Sequence, residues 1–309
     1  MDSNALLAIL SAFTLRTIQE PTLHAYAWNR LPVSQPAVSS TPVKRNLSSL
    51  GIDISASSAI VMDADTGAVL FEKNADAVLP IASLTKLVSA MTYLDTKPDF
   101  ESPVEIEAAD RPSVGRTILP THERFTAAEA FKGMLVGSVN ESAKALARTS
   151  LGTETFVKKM NEKAREVGME HATFVDASGE SSRNTATARD VALALRAAAA
   201  YPEIPEAMAQ GSVTLHGVQK PYLIKTTNVL WSSELNSKPY RIVAAKTGTL
   251  PEAGHCYALM TEGENGQRLL VVLLGGETHY SRFQDVKALT YWAFENYEWP
   301  RRETRALTP

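Results

Sequence analysis

Two hydrophobic periods segregate along the chain. The runs 57–62 (SSAIVM) and 68–72 (AVLFE) are rich in strand formers and flank Asp65-Thr66-Gly67, which predicts a β-hairpin. Leu84, Leu87, Val88, Met91 and Leu94 then recur at helical spacing on one face. Thr126-Ala127-Ala128-Glu129 has the form of a capping box and opens the helical stretch AAEAFKGMLVG. A second helix, ESAKALART, follows Ser138-Val139-Asn140. Residues 154–167 read as a helix closed by Gly168 at the C′ position, and 187–200 as another. Near the end, RIVAAKTGT, HCYALMTEG and QRLLVVLLGG read as three strands, followed by a helix from about 281 to 297.

Strands at both ends with a helical block between them predict an α+β fold. Its antiparallel sheet joins early and late segments and is flanked by helices. Residues 28–46 carry three prolines and several serines without periodicity, so a flexible linker is expected over 28–50. One globular domain is expected over 51–300, with a tail at 301–309. The chain stops shortly after the last helix, so no added C-terminal domain is expected. No internal repeat is visible.

The N-terminus changes this picture in one respect. ALLAILSAFTL, residues 5–15, resembles the apolar core of a signal peptide, and Ala25-Tyr26-Ala27 a small-residue cleavage site, which would make 1–27 a leader. Against that reading, Asp2 precedes the core with no lysine or arginine, and the cleavage site lies far downstream. The apolar run is too short for a comfortable membrane span, and no other segment suits one.

At 309 residues, 44% hydrophobic and 21% charged, the chain has the composition of a soluble globular protein with a substantial core. A net charge of −3 leaves no basic footprint for nucleic acid. Its six histidines include no HExxH or similar spacing, so neither a metal nor another cofactor is expected. The single cysteine, Cys256, excludes an internal disulfide.

Candidate chemistry lies in three short signals in order: Ser83-Leu84-Thr85-Lys86, Ser138-Val139-Asn140 and Lys246-Thr247-Gly248. Each alone is weak. S-x-x-K is expected about once by chance in a chain of this length. Ser182-Arg183-Asn184 is a decoy for the second signal, and Lys225-Thr226-Thr227 a near miss for the third. The contexts carry the argument. Ser83 falls at the first turn of a helix, where free backbone N–H groups stabilise negative charge on a bound oxygen. Lys86, three residues on, shares its face and can accept its proton once burial or a second cation lowers the lysine pKa. Lys246 would supply that cation. A loop between two helices can push Ser138 and Asn140 into a cleft, and Gly248 permits close approach to its strand.

In this order the signals resemble the penicillin-recognising serine enzymes. The wider match, over about 55–297, is closest to the low-molecular-mass penicillin-binding proteins, the D-alanyl-D-alanine carboxypeptidases and endopeptidases. It is carried by MDADTGAVLFEKNADAVLPIASLTKLVSAM, ASGESSRNTATARDVALAL and KTGTLPEAGHCYAL. SVNESAKALA and the His255-Cys256 pair resemble the endopeptidase branch, which cuts D-alanyl–diaminopimelyl cross-links; carboxypeptidases trim the terminal D-alanine instead.

The resemblance implies a β-lactamase/transpeptidase-like fold with a five-stranded antiparallel sheet and a helical subdomain. It implies acyl transfer in which Ser83 is the nucleophile, Lys86 its base and Ser138 a proton relay. Asn140, Lys246, Thr247, Gly248 and Thr249 would bind substrate, and β-lactam antibiotics would inhibit. It also implies export, to the periplasm or otherwise outside the cytoplasm, where peptidoglycan peptides lie. One departure is Thr249-Leu250, where the family often has an aromatic residue and then threonine; fine substrate preference rests there.

Three rivals share the scaffold. A class A β-lactamase needs a glutamate in an E-x-x-L-N pattern, and this chain reads FVDASGESS instead. A non-catalytic wall-binding protein would not need Ser83, Lys86 and Lys246 intact. An esterase is not distinguished by sequence. Cys256 reads as a small buried hydrophobe, Trp231 and Trp292 as packing residues, and His255 as either structural or at the cleft's border.

Overall fold

The computed structural model describes residues 41–49 and 51–300. The expected leader over 1–27, most of the linker and the 301–309 tail therefore fall outside the described residues. The end of the expected linker is built into the fold. β1 (Val43–Lys44) pairs antiparallel with Tyr297–Glu298, and the Trp292 indole N–H donates to Ser49 Oγ at 2.8 Å. A two-residue pairing has no periodicity, so proline and serine content alone suggested a free arm.

The hairpin strands β2 (Ser58–Asp63) and β3 (Val69–Lys73) come first, then β4 (Leu79–Pro80). A 3-10 turn, Ala82–Thr85, leads into α1 (Lys86–Asp95). The short ladder of β5 (Pro103–Glu105) and β6 (Arg124–Thr126) precedes α2 (Ala127–Val136), α3 (Asn140–Leu151) and α4 (Thr153–Glu166). β7 (Thr185–Ala186) pairs with β4, and α5 (Ala188–Ala198) and α6 (Glu203–Met208) follow. A second hairpin, β8 (Ser212–His216) and β9 (Pro221–Lys225), leads to β10 (Arg241–Leu250), β11 (Gly254–Glu262) and β12 (Arg268–Gly276). The last elements are α7 (Ser281–Asn296) and β13 (Tyr297–Glu298).

The expected α+β architecture is present. Five strands form one antiparallel sheet in the order β10-β11-β12-β2-β3. Strand periodicity divides its side chains between two cores. Ile60, Met62, Leu270 and Val272 join the core shared with the helical block. Their neighbours Ala59, Val61, Leu269 and Val271 face Phe283, Val286 and Leu289 of α7. Covering both faces is why the central strands read as continuous apolar runs. On β10, Ala244 and Leu250 belong to the helical-block core, so the even-numbered Lys246 and Gly248 share that side.

The Thr126 capping box forms as expected, with the Glu129 N–H donating to Thr126 Oγ1 at 3.2 Å and the Thr126 N–H to Glu129 Oε2 at 3.0 Å. The one-faced stripe expected for α1 understates its burial. All residues from Lys86 to Tyr93 are buried, because α2, α3, α4 and α5 surround the helix. An enclosed helix gives its polar side chains no solvent, so Ser89 donates to the Ala177 carbonyl at 2.7 Å. Among the described residues, no helix is long and apolar enough to cross a membrane.

Candidate active site

The nucleophile candidate falls on the first turn of the helix as expected, and that turn is a 3-10 turn running directly into α1. Ala82 adopts a left-handed φ of 48°, which redirects the chain from β4 into that turn, and Lys86 becomes the first residue of α1. The spacing still works: Lys86 Nζ donates to Ser83 Oγ at 2.9 Å. Between α2 and α3 only Gly137, Ser138 and Val139 remain. Ser138 is also left-handed, with φ 59°. Each non-glycine residue in that region costs roughly 1–3 kcal/mol, and packing must hold it. Val139, 0% exposed, supplies part of that hold.

This strained link brings the second signal to the first and third. Lys86 Nζ donates to Asn140 Oδ1 at 2.6 Å, and Lys246 Nζ to Ser138 Oγ at 2.7 Å. Ser83 and Ser138 are half-buried. Gly248 packs so tightly on the Ser83 turn that a Cβ there would lie 2.8 Å from the Ile81 oxygen and 3.2 Å from Ser83 N. Thr247 Oγ1 lies 2.6 Å from Thr227 Oγ1, which places a residue of the near-miss signal beside the real one. Thr249 is exposed at the strand's end.

Sequence reasoning missed the third partner of Lys86, the Ser178 carbonyl. A main-chain acceptor leaves no mark on residue identity. Its loop is shaped by Asp176, whose Oδ1 accepts the N–H groups of Ser178 and Gly179, each at 2.7 Å. Burial alone would raise the Asp176 pKa. The hydrogen bonds outweigh it and hold the carboxyl below its usual range. The decoy Asn184 fastens this loop to the nucleophile turn: Nδ2 donates to Thr85 Oγ1 at 3.1 Å and to the Asp176 carbonyl at 2.9 Å.

Gly179 lets the loop come this close. Its φ is +82°, and a Cβ would sit 2.1 Å from the Ala82 oxygen. Gly179→Ala is therefore expected to cost at least ~2 kcal/mol, seen as a melting temperature about 4 °C lower or more, with slower acylation of Ser83. Thermal unfolding beside an acylation assay checks both; an unchanged melting temperature would contradict the packing argument.

Burial, with Lys144 acting in the same direction, pulls the Lys86 ammonium down to about 7, against the opposing charges of Asp176, Glu180 and Glu141. Near neutral pH much of the amine is thus free to accept a proton. The expected second cation behaves differently from the sequence reading. Lys246 is itself held well below its usual range, first by burial and then by Lys86 and Arg282. Burial is the first cause at both amines, and their mutual repulsion disfavours charging the two together.

Arg282, on α7 and 2% exposed, is a second residue the sequence did not reveal. Its Nη1 donates to the Gly248 carbonyl and to Thr249 Oγ1, each at 3.0 Å, bracing the end of β10. His255 does border the cleft, with Nδ1 3.3 Å from Thr249 Oγ1. Cys256 is a packing residue; burial pushes its thiol up to about 11. Trp292 packs edge-on against Phe71, and Trp231 lies against Gly211.

Residues 43–278 match the family model for D-alanyl-D-alanine carboxypeptidases, peptidase S11. The chain is 31% identical over 261 residues to the D-alanyl-D-alanine endopeptidase of Pseudomonas aeruginosa, covering 83% of each. It is also 31% identical to D-alanyl-D-alanine carboxypeptidase DacC of Escherichia coli, over 77% of this chain and 61% of that one. Among solved structures it is similar to the cefotaxime-bound form of penicillin-binding protein D2 from Listeria monocytogenes. That match has 29% identity and a TM-score of 0.71, over 80% of this chain and 100% of that one. A similarity that spans the sheet, the helical block and all three signals assigns the chain to the D-alanyl-D-alanine carboxypeptidase family, and it is a serine-type DD-peptidase.

Proposed function

We propose that this DD-peptidase acts as an endopeptidase on D-alanyl–diaminopimelyl cross-links of peptidoglycan, outside the cytoplasmic membrane, with Ser83 as nucleophile. The observation that carries the mechanism is the 2.9 Å contact between Lys86 Nζ and Ser83 Oγ, made by a lysine whose burial frees it to act as a base. Ser83 Oγ attacks the D-alanyl carbonyl as its proton passes to Lys86. The backbone N–H groups of Ser83 and Thr249 receive the developing oxyanion. Ser138, hydrogen-bonded to Lys246, relays to the leaving amine the proton that Lys86 took from Ser83. The C–N bond breaks, the amine departs, and water then hydrolyses the acyl-enzyme.

The remaining residues position these groups. Asn140 holds Lys86 and orients the substrate amide, and Gly248 lets β10 close on the Ser83 turn so that the strand can border bound substrate. Thr247 and Thr249 bind the carboxylate of the substrate or of a β-lactam. The cefotaxime-bound relative supports β-lactams as inhibitors of this chain. A turnover route like that of class A enzymes is disfavoured: the E-x-x-L-N glutamate is missing from the chain, and of the two glutamates whose charges act on Lys86 only Glu141 keeps a buried carboxylate oxygen, Oε2, without a hydrogen-bond partner among the described residues. Glu141 Oε1 accepts the N–H groups of Ile118 and Leu119, and Glu180 Oε1 those of Ser113 and Val114.

Digestion of purified peptidoglycan fragments tests the substrate. Cross-linked dimers are expected to disappear faster than free pentapeptide stems lose their terminal D-alanine. Release of terminal D-alanine with the dimers left intact would make the chain a carboxypeptidase. The compartment has its own check, N-terminal sequencing of the mature protein, which export predicts to begin beyond residue 27.

A further inference from the structure

We propose that Glu180 is a positioning residue for Lys86. With Lys144 it forms a clamp that joins the two elements on which the lysine's Asn140 and Ser178 acceptors lie. This inference rests on the reading of Lys86 as the general base.

The two acceptors come from different parts of the chain. Asn140 Oδ1 belongs to α3 and the Ser178 carbonyl to the 175–184 loop. Moving one relative to the other would change how the amine is held and where its lone pair points. Glu180 spans the gap. Its side chain is only 6% exposed although it sits in a loop. Oε2 accepts from Ser178 Oγ at 3.1 Å and forms an ion pair with Lys144 Nζ. Lys144 stands four residues after Asn140, one helical turn along the same face of α3.

A third element is gripped by the same pair. Glu180 Oε1 accepts the N–H groups of Ser113 at 2.8 Å and Val114 at 3.2 Å, and Lys144 Nζ donates to the Arg111 carbonyl at 2.9 Å. A hydrogen-bonded route thus runs from the 111–114 segment through Glu180 and Ser178 to the catalytic amine. Nothing in the three sequence signals includes Glu180 or Lys144.

The charges facing Lys86 fix the sign of the test. Asp176 and Glu180 face it from the loop, Glu141 and Lys144 from α3, and Lys246 from β10. Intact, the Glu180 anion favours the charged amine and the Lys144 cation opposes it, the glutamate more strongly. Glu180→Gln keeps the shape and one carbonyl oxygen but leaves the Lys144 cation uncompensated. Protonation of Lys86 then becomes harder. Lys144→Met leaves the Glu180 anion uncompensated and makes it easier.

The full chain is reacted with benzylpenicillin from pH 5 to 9, and the second-order acylation rate is followed by intact mass. The acidic limb is expected to move to lower pH in Glu180→Gln and to higher pH in Lys144→Met. Each shift should be about half a pH unit or more, roughly threefold in rate below the limb. The double variant should return toward the wild-type limb. Melting temperatures taken alongside separate positioning from folding. Limbs that stay in place while stability falls would make Glu180 a structural clasp only and overturn the inference, as would shifts of the same sign. If Glu180→Gln does not fold, the limb of Lys144→Met decides alone. A wild-type chain that forms no adduct would overturn the proposed function and this inference with it; adduct formation with unmoved limbs would overturn the inference alone.

Discussion

Lys86→Met is expected to slow acylation by penicillin by roughly 10²–10⁴-fold, the range that a positioned general base contributes. The fold should survive the change. Lys86 is 0% exposed, and methionine fills a similar volume without a buried amine whose partners must all be met. An unchanged or raised melting temperature is expected, so lost activity would not reflect unfolding. In the wild-type chain the acylation rate should rise with pH through about 7, because Lys86 must lose its proton before it can take one from Ser83. Below that pH the ammonium still donates to Ser83 Oγ but cannot act as a base. The same acidic limb should be absent from Lys86→Met. A variant that keeps both the rate and the limb would move the base elsewhere, with Lys246 the next candidate.

The fold and the site were legible to different depths, for physical reasons. Strand runs such as RLLVVLLGG could be read because both faces of the central sheet are covered, which makes their apolar character continuous. The capping box at Thr126 was legible because its chemistry is local. The hairpin of SVTLH and PYLIK was not assigned, although its more buried positions alternate, since three of the five residues in each strand are exposed and only one is fully buried. The β1 pairing was invisible because its partner lies some 250 residues away and the pairing is two residues long.

At the site, residue types were readable and backbone was not. Ser83 and Lys86 meet as their spacing suggested, and Asn140, Ser138 and Lys246 join them as the order of the signals and the resemblance implied. The Ser178 carbonyl and the left-handed turns at Ala82 and Ser138 leave no signature in side-chain identity. Even the decoys proved informative. Asn184 and Thr227 lie beside the real signals because the chain that carries them packs against the cleft, where each supports a neighbour. Arg282 was hidden for another reason. Its importance comes from the approach of α7 to β10, a tertiary fact that a lone arginine in a helix does not announce.

Those two strained residues also bear on how the site works. Ala82 and Ser138 each hold a left-handed conformation at or beside a half-buried serine, one the proposed nucleophile and the other the proposed proton relay. The surrounding packing fixes both hydroxyls before substrate arrives, so little reorganisation remains for the reaction itself.

The most direct test of the central claim is the intact mass of the protein after incubation with penicillin, with Ser83→Ala alongside. Ser83 is the only hydroxyl in contact with Lys86 Nζ among the described residues, so its loss removes the nucleophile and leaves the base in place. A single lasting adduct on the wild-type chain, mapped to the peptide that contains Ser83 and absent from the variant, is the predicted result. An adduct that persists in Ser83→Ala, or no adduct on either chain, would contradict the assignment of Ser83 and the acyl-enzyme mechanism built on it.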